Sequence, residues 1–333
     1  MKYSGDVVSG KWSADIDIWN GIKAKVNIGV DVNNVRSTNM VNPFYGQYSE
    51  TSGVGGLISV ATERTFSVNQ QYLLTYNKTF NDVHNVDILA GHESYDYRYQ
   101  YLYGQREKLY DPNVPELGNG IMNQSNNSYS RNYATEGWLF RAQYDYDGRY
   151  FVSASFRRDA SSCFHPDNRW GNFWSVSAAW RLSQEAFMKN LTYVDDLKLR
   201  VSYGINGTLP SKFYSHLSLF GYGFNYQDQP GSAPTTIPNP DLGWEKNENF
   251  NIGFDARLFG RLSVAFDFYN RETKDLLQDV PVSMTTGFNN TLKNVGAMNN
   301  RGIELDMNYD VFNETAVKWS TGIVLSHNKN KIR

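Results

Sequence analysis

Two-residue alternation constrains this chain more than any other feature of its sequence. From residue 22 to residue 33 the apolar Ile22, Ala24, Val26, Ile28, Val30 and Val32 interleave with Lys23, Lys25, Asn27, Gly29, Asp31 and Asn33. Successive side chains of a strand point to opposite faces, so this pattern makes one greasy face and one wet face, which a helix of period 3.6 does not. The alternation returns over residues 66–76, 138–146, 150–156, 174–180, 199–203, 250–258, 262–268 and 303–309, and again at Val317, Trp319, Ile323 and Leu325.

The connections carry a second signal. Ile18 and Ile22, Tyr146 and Tyr150, and Leu258 and Leu262 share an apolar face only if an odd number of residues separates the paired strands. Trp19-Asn20-Gly21, Asp147-Gly148-Arg149 and Phe259-Gly260-Arg261 therefore predict three-residue hairpin turns, each with its glycine. Between these tight turns lie long polar stretches at 34–63, 104–132, 158–171, 204–246 and 273–301. Short and long connections alternating over about twelve strands predict an all-β, antiparallel up-and-down barrel, with brief periplasmic turns and extended extracellular loops. No fixed repeat period points to a solenoid.

Strand length and end decoration favour lipid over a soluble β-sandwich. Several segments alternate for about ten residues or more, enough to cross a bilayer at a tilt, whereas soluble strands cluster at about five or six. Their apolar sets end in aromatics, Trp138 with Tyr146 and Trp174 with Trp180, while Tyr76, Tyr309 and Trp319 join them elsewhere, as in an interfacial girdle. The opposite faces carry Lys, Arg, Asp, Asn, Ser and Thr, which suit a water-filled interior and not a dry core. No window approaches the roughly 20 apolar residues of a membrane-spanning helix. Lys and Arg total 32 against 34 Asp and Glu, for a net charge of −2, and no basic stripe exists to neutralise phosphates, so nucleic acid is excluded as a partner. The single Cys163 has no disulfide partner and reads as a free thiol in a polar loop.

Several stretches resemble the SusC/RagA family of TonB-dependent outer-membrane receptors. Residues 150–185, YFVSASFRRDASSCFHPDNRWGNFWSVSAAWRLSQE, are similar to that family's strand, loop and strand built on an RRDGSSRFGPDNRWG-like core; LKLRVSYG at 197–204, NPDLGWE at 239–245, FYNRETKDLL at 268–277, NVGAMNNRGIEL at 294–305 and YLLTYNKTFNDVHNVDILAGHE at 72–93 fit as well. Ala160, Cys163 and His165 depart from the residues usual in the loop motif, which are glycine, arginine and glycine. The resemblance implies that residues 1–333 are part of a barrel domain of about 22 strands, with signal peptide, plug domain and terminal strands outside the sequence. It implies localisation in the outer membrane of a Gram-negative, Bacteroidota-type bacterium, and uptake of an oligosaccharide or a peptide. The implied partners are a SusD-like surface lipoprotein acting as a lid and TonB-ExbB-ExbD acting through the plug.

No catalytic constellation emerges. His84, His92, His165, His216 and His327 are scattered and read as loop or solvated histidines; no metal set, no cofactor and no enzymatic activity is expected. The rivals are an outer-membrane barrel enzyme, with an acid/base or nucleophile set on its rim, and a surface β-sandwich adhesin. Gly53-Val54-Gly55-Gly56 and Gly221-Tyr222-Gly223 lack the strand-then-helix setting of a phosphate loop and read as flexible loop glycines. Phe44, Tyr45, Tyr48, Tyr222, Phe224 and Tyr226 are the candidate ligand-binding aromatics of the loops, because a flat amphipathic ring stacks at low entropic cost; packing within their own loops is the equal alternative. Arg158, Asp159, Asp167, Arg169 and Trp170, at the heart of the loop motif, are expected to order the loop through ion pairs.

Overall fold

The structure is a computed structural model that describes residues 1–312 and 318–333; Val317, counted above as a strand residue, lies outside the described residues. Its strands are β1 (Lys2–Trp19), β2 (Ile22–Val41), β3 (Leu57–Phe80), β4 (His84–Leu109), β5 (Gly120–Tyr146), β6 (Tyr150–Ser161), β7 (Trp170–Arg181), β8 (Val194–Thr208), β9 (Phe220–Tyr222), β10 (Ser232–Pro234), β11 (Glu245–Leu258), β12 (Leu262–Lys274), β13 (Leu277–Pro281), β14 (Asn290–Asn294), β15 (Ala297–Phe312) and β16 (Trp319–Ile332). Twelve form one sheet in the order β1-β2-β3-β4-β5-β6-β7-β8-β11-β12-β15-β16, while β9 with β10 and β13 with β14 make two small hairpins inside loops. Every strand of the large sheet neighbours the next one of that sheet in sequence, the up-and-down topology that the alternation of connections predicts. The chain divides into two compact units: residues 1–14, 26–71 and 94–135 form the first, and residues 15–25, 72–93 and 136–333 the second.

In the second unit the registers follow the turn arithmetic. Leu258 lies opposite Leu262, with Phe259 and Gly260 at positive φ between them, and the Tyr146 and Tyr150 rings stack at 6.2 Å across Asp147-Gly148-Arg149. Gly21 turns the first hairpin at φ +83, and Lys23 and Lys25 pair with Asp17 and Asp15 across it.

The apolar sets are on the outside. Val152, Val176, Val201, Ile252, Ile303, Ile323 and Leu325 are each at least 40% exposed, and the few buried apolar residues belong chiefly to loops and strand ends. A sandwich would press these faces together; here they stand bare, which only a non-aqueous surrounding tolerates. Aromatics rim the band: Trp138 and Tyr146 lie eight residues apart on β5, roughly 27 Å along the strand and roughly 20 Å along the membrane normal at the usual tilt, against an apolar band of about 25 Å. Tyr150 stacks 6.1 Å from Trp180 at one end, and Trp174 lies 5.5 Å from Tyr203 at the other. No helix among the described residues is long and apolar enough to cross a membrane, which leaves crossing by strands untouched.

The expected loops shrink. The stretches predicted at 34–63 and 104–132 become extensions of β2 to Val41, of β3 from Leu57, of β4 to Leu109 and of β5 from Gly120. Beyond the lipid both faces of a strand meet water, so backbone pairing continues after the apolar contrast has vanished. The glycines of residues 53–56 are likewise fixed and not flexible: Gly53, Gly55 and Gly56 adopt positive φ, and Lys108 and Leu109 donate backbone hydrogen bonds to Gly56 and Gly55 at 3.0 and 2.9 Å.

Candidate functional site

The sheet face opposite the apolar band is a wall of paired charges. In the second unit Arg141 reaches Asp87 at 3.3 Å, and Arg157 reaches Asp159 at 2.9 Å and Glu93 at 3.3 Å. Arg200 on β8 clamps two carboxylates: Nε and Nη2 donate to Asp255 at 3.1 Å each, while Nη1 and Nη2 donate to Asp267 at 2.7 and 2.8 Å. A concavity of about 620 Å³ on this wall is lined by Asp87, Asp145, Ser153, Ser177 and Lys198 among others. Such a surface stays hydrated and orders its charges without burying them. Replacing Arg200 by methionine leaves Asp255 and Asp267 facing each other, and the folded barrel should lose about 1–2 kcal/mol, the exposure of all three groups holding the loss below that of a buried triad. A lower temperature for loss of fast migration in unheated SDS gels checks this, and the added changes Asp255→Asn and Asp267→Asn should restore much of the loss.

At one end of the second unit three connections fasten to one another. Phe164 and Leu242 are fully buried, and Trp244 lies between Phe164 at 5.1 Å and Phe173 at 5.2 Å. Trp244 Nε1 donates to the Arg169 carbonyl at 3.0 Å. A methyl group at Gly171 or Gly207 would collide with the Phe173 ring, so both glycines are needed for this close approach. Asn168 donates to the Pro240 carbonyl at 2.9 Å, Asn239 to the Leu292 carbonyl at 2.8 Å, and the Asn294 amide brackets Gly243, accepting from its N–H at 2.8 Å and donating to its carbonyl at 2.9 Å. Lys212 closes the set on both oxygens of Asp279, at 2.9 and 2.8 Å. The stretches 162–169, 209–244 and 275–296 thus form one platform, and the NPDLGWE stretch is its latch.

The motif residues are placed around this platform. Arg158 does not pair with its neighbour Asp159 but lies 5.1 Å over the Trp170 ring; Asp159 is taken by Arg157. Asp167 is within 3.3 Å of His165 Nδ1 and remains largely in solvent, and Arg169 contributes its carbonyl to Trp244. Cys163 is free, as its solitude requires, but it is 1% exposed beside Phe164 and not in a polar loop; burial pushes its thiol up from the ordinary value. Of the loop aromatics, Phe44 and Tyr45 are exposed in the first unit, while Tyr48 is half-buried and its carbonyl accepts from Gly56 N–H at 2.6 Å. Tyr222, Phe224 and Tyr226 are exposed at and after β9.

His216 Nδ1–H donates to the Cys163 carbonyl at 3.1 Å, which fixes its neutral tautomer. Burial, helped by His165 and Arg169, holds the imidazole below its ordinary 6.5 and outweighs the carbonyl, which acts the other way. A folded-state pKa below the unfolded one means stability that is present above about pH 6.5 and lost as pH falls through the folded value. Amide exchange in residues 162–169 and 213–217, corrected for intrinsic rate, should speed up between about pH 7 and about pH 5 in the native chain but not in His216→Gln.

One arrangement escaped the sequence reading. In the first unit β4 carries Tyr95, Tyr97, Tyr99, Tyr101 and Tyr103 on one face, and β5 adds Tyr129 and Tyr133. Tyr133 lies 5.7 and 5.2 Å from Tyr95 and Tyr97, and Tyr129 lies 6.0 and 5.0 Å from Tyr99 and Tyr101. Tyr99 donates to Glu63 at 3.0 Å, so the ladder stands on the polar face of β3 and not on that of Phe66 and Val68. Its signal was tyrosine at every second residue; with Asp96, Arg98 and Gln100 between them, neither face looked apolar.

A wall with lipid-facing aliphatics on one side, paired charges on the other and latched loops at one end defines a chain of an outer-membrane β-barrel. The model of the family described as TonB dependent receptor-like, beta-barrel, matches residues 3–331, and the chain belongs to that family. It is 34% identical over 323 residues to a TonB-dependent receptor of Formosa agariphila, a match covering 94% of this chain and 30% of the relative. It is 27% identical over 324 residues to TonB-dependent receptor SusC of Bacteroides thetaiotaomicron, covering 93% and 31%. The solved structure of the RagAB peptide transporter superposes with a TM-score of 0.91 at 27% identity, over 99% of this chain and 37% of that one. Unliganded ferric citrate transporter FecA, at 9% identity and a TM-score of 0.58, shares the fold alone. The chain spans about a third of the length of the curated relatives it matches.

Proposed function

We propose that this chain is barrel wall and loop rim of a SusC/RagA-type receptor that imports an oligosaccharide or peptide across the outer membrane of a Bacteroidota-type bacterium. The observation that carries the reading is the two-faced wall: lipid-facing aliphatics outside and charges tied in pairs inside, as a hydrated pathway for a polar solute demands. The latched platform of residues 162–169, 209–244 and 275–296 supplies a rigid rim on which a SusD-like lipoprotein closes as a lid. Energy comes from TonB with ExbB-ExbD through a plug domain. The receptor acts by binding and gating, with no covalent chemistry. Exposed Tyr222, Phe224 and Tyr226 support the rim's part in ligand or lid contact, and the exposure of Phe44 and Tyr45 leaves them open for ligand contact within the first unit.

Deletion of the full-length gene in its native host tests this, with growth and labelled uptake measured on a glycan panel and a peptide pool, each with and without TonB. Loss of uptake of one ligand class in both deletions is the expected result. Uptake unaffected by either deletion overturns the reading.

A further inference from the structure

The tyrosine ladder on β4 and β5 has no part in the wall of ion pairs or in the loop platform. Its rings from β4 are spaced about 6.7 Å apart along one strand, as side chains two residues apart must be. Rings from β5 sit between them, 5.0 to 6.0 Å from their neighbours, so a continuous aromatic strip runs along the strand pair. Backbone pairing already joins β4 to β5, and apolar pairs of any shape would reinforce it; repeated tyrosine adds flat faces and hydroxyls that this task does not require. The β4 rings are half-buried and Tyr129 is 37% exposed, so the strip is open along part of its surface.

The chemistry of the strip selects a class of occupant. A phenol ring offers a flat apolar face and a hydroxyl at its edge, matching a pyranose with its C–H face and peripheral hydroxyls. Glu63 accepts from Tyr99, and the Arg131 guanidinium lies 4.8 Å over one face of the Tyr129 ring, so one carboxylate and one guanidinium of opposite sign flank the strip. The strip thus offers an extended ligand ring faces and hydrogen bonds with little net charge. The geometry points to a binding track for a linear, neutral oligosaccharide along Tyr97, Tyr99, Tyr101, Tyr129 and Tyr133. This inference rests on the transporter reading and narrows its ligand.

The test uses the full-length receptor, purified from its native membrane, titrated calorimetrically with maltohexaose, laminarihexaose, xylohexaose and mannohexaose, and with a pool of hexapeptides. At least one hexasaccharide should bind saturably, and Tyr97→Ala with Tyr101→Ala should weaken it about tenfold to a hundredfold, as stacking on two rings implies. Tyr97→Phe with Tyr101→Phe keeps the rings and should retain most of the affinity. Tyr97→Leu with Tyr101→Leu keeps apolar bulk and should weaken binding as alanine does, which separates ring stacking from general packing. Fast migration in unheated SDS confirms that each variant is folded. Unchanged affinity in the alanine and leucine variants, or binding of none of the four hexasaccharides, overturns the track. So does binding of the peptide pool alone. TonB-dependent uptake that continues in any of these cases leaves the transporter reading intact; its absence in cells carrying the native receptor overturns that reading instead.

Discussion

Lysine in place of Val201 should cost the folded barrel about 2–4 kcal/mol, whereas lysine in place of Ser177 on the neighbouring strand should cost little, because lipid penalises charge near mid-depth and a wet wall does not. Val201 lies opposite Ala178 and Ile252, between the levels of Trp174 and Trp180, with 40% of its surface bare. Ser177 faces Ser153 and Ser202 on the other side of the same sheet and lines the polar concavity. The two substitutions add the same side chain to neighbouring strands and differ in which medium receives the charge. Folding into large unilamellar vesicles across a urea series measures the gap. Equal losses at the two positions would mean that the sheet does not separate lipid from water, and the two-faced wall would fall with that result.

The contrast that makes this prediction sharp also decided what could be read from the sequence. Within the bilayer each residue of a strand meets lipid or water in turn, so Val152, Ala154 and Phe156 against Ser153, Ser155 and Arg157 spell out both the strand and its face. Outside the bilayer that code stops: β4 runs on to Leu109 and β5 begins at Gly120, although the sequence suggested a long loop over 104–132. The β4 part of the tyrosine ladder lies just ahead of that stretch, where Asp96, Arg98 and Gln100 alternate with tyrosine and no apolar contrast marks a face. Arg158 and Asp159 are adjacent in sequence and on opposite faces of β6, so the ion pair of Asp159 is with Arg157, two residues away; strand parity was sufficient to foresee this. The burial of Cys163 was not foreseeable in the same way, since what covers it arrives from loops some 50 residues or more distant, as the His216 contact does.

The largest local effect expected in the loops is from Trp244→Ala. The substitution removes two ring contacts, with Phe164 and Phe173, and leaves the Arg169 carbonyl without its indole donor. Trp244 is half-buried, so its truncation should cost less than the roughly 3–5 kcal/mol of a fully buried tryptophan, on the order of 2–3 kcal/mol, and the lost hydrogen bond adds about 1 kcal/mol. Gly171 and Gly207 carry no side chain with which to refill the space, so little relaxation is available. Loops open with less free energy than the strands that carry them, so this loss should unlatch the platform while the sheet stays intact. Proteinase K added to whole cells should then cut within residues 162–169, 209–244 or 275–296 of the variant and spare the native receptor, with migration in unheated SDS unchanged. Trp244→Phe keeps part of the ring contact and gives up the donor, and should fall between the two. Resistance equal to the native protein in Trp244→Ala would show that the three connections are held by the Asn239, Asn294 and Lys212 contacts alone, and that the buried aromatic cluster is not what makes the rim rigid.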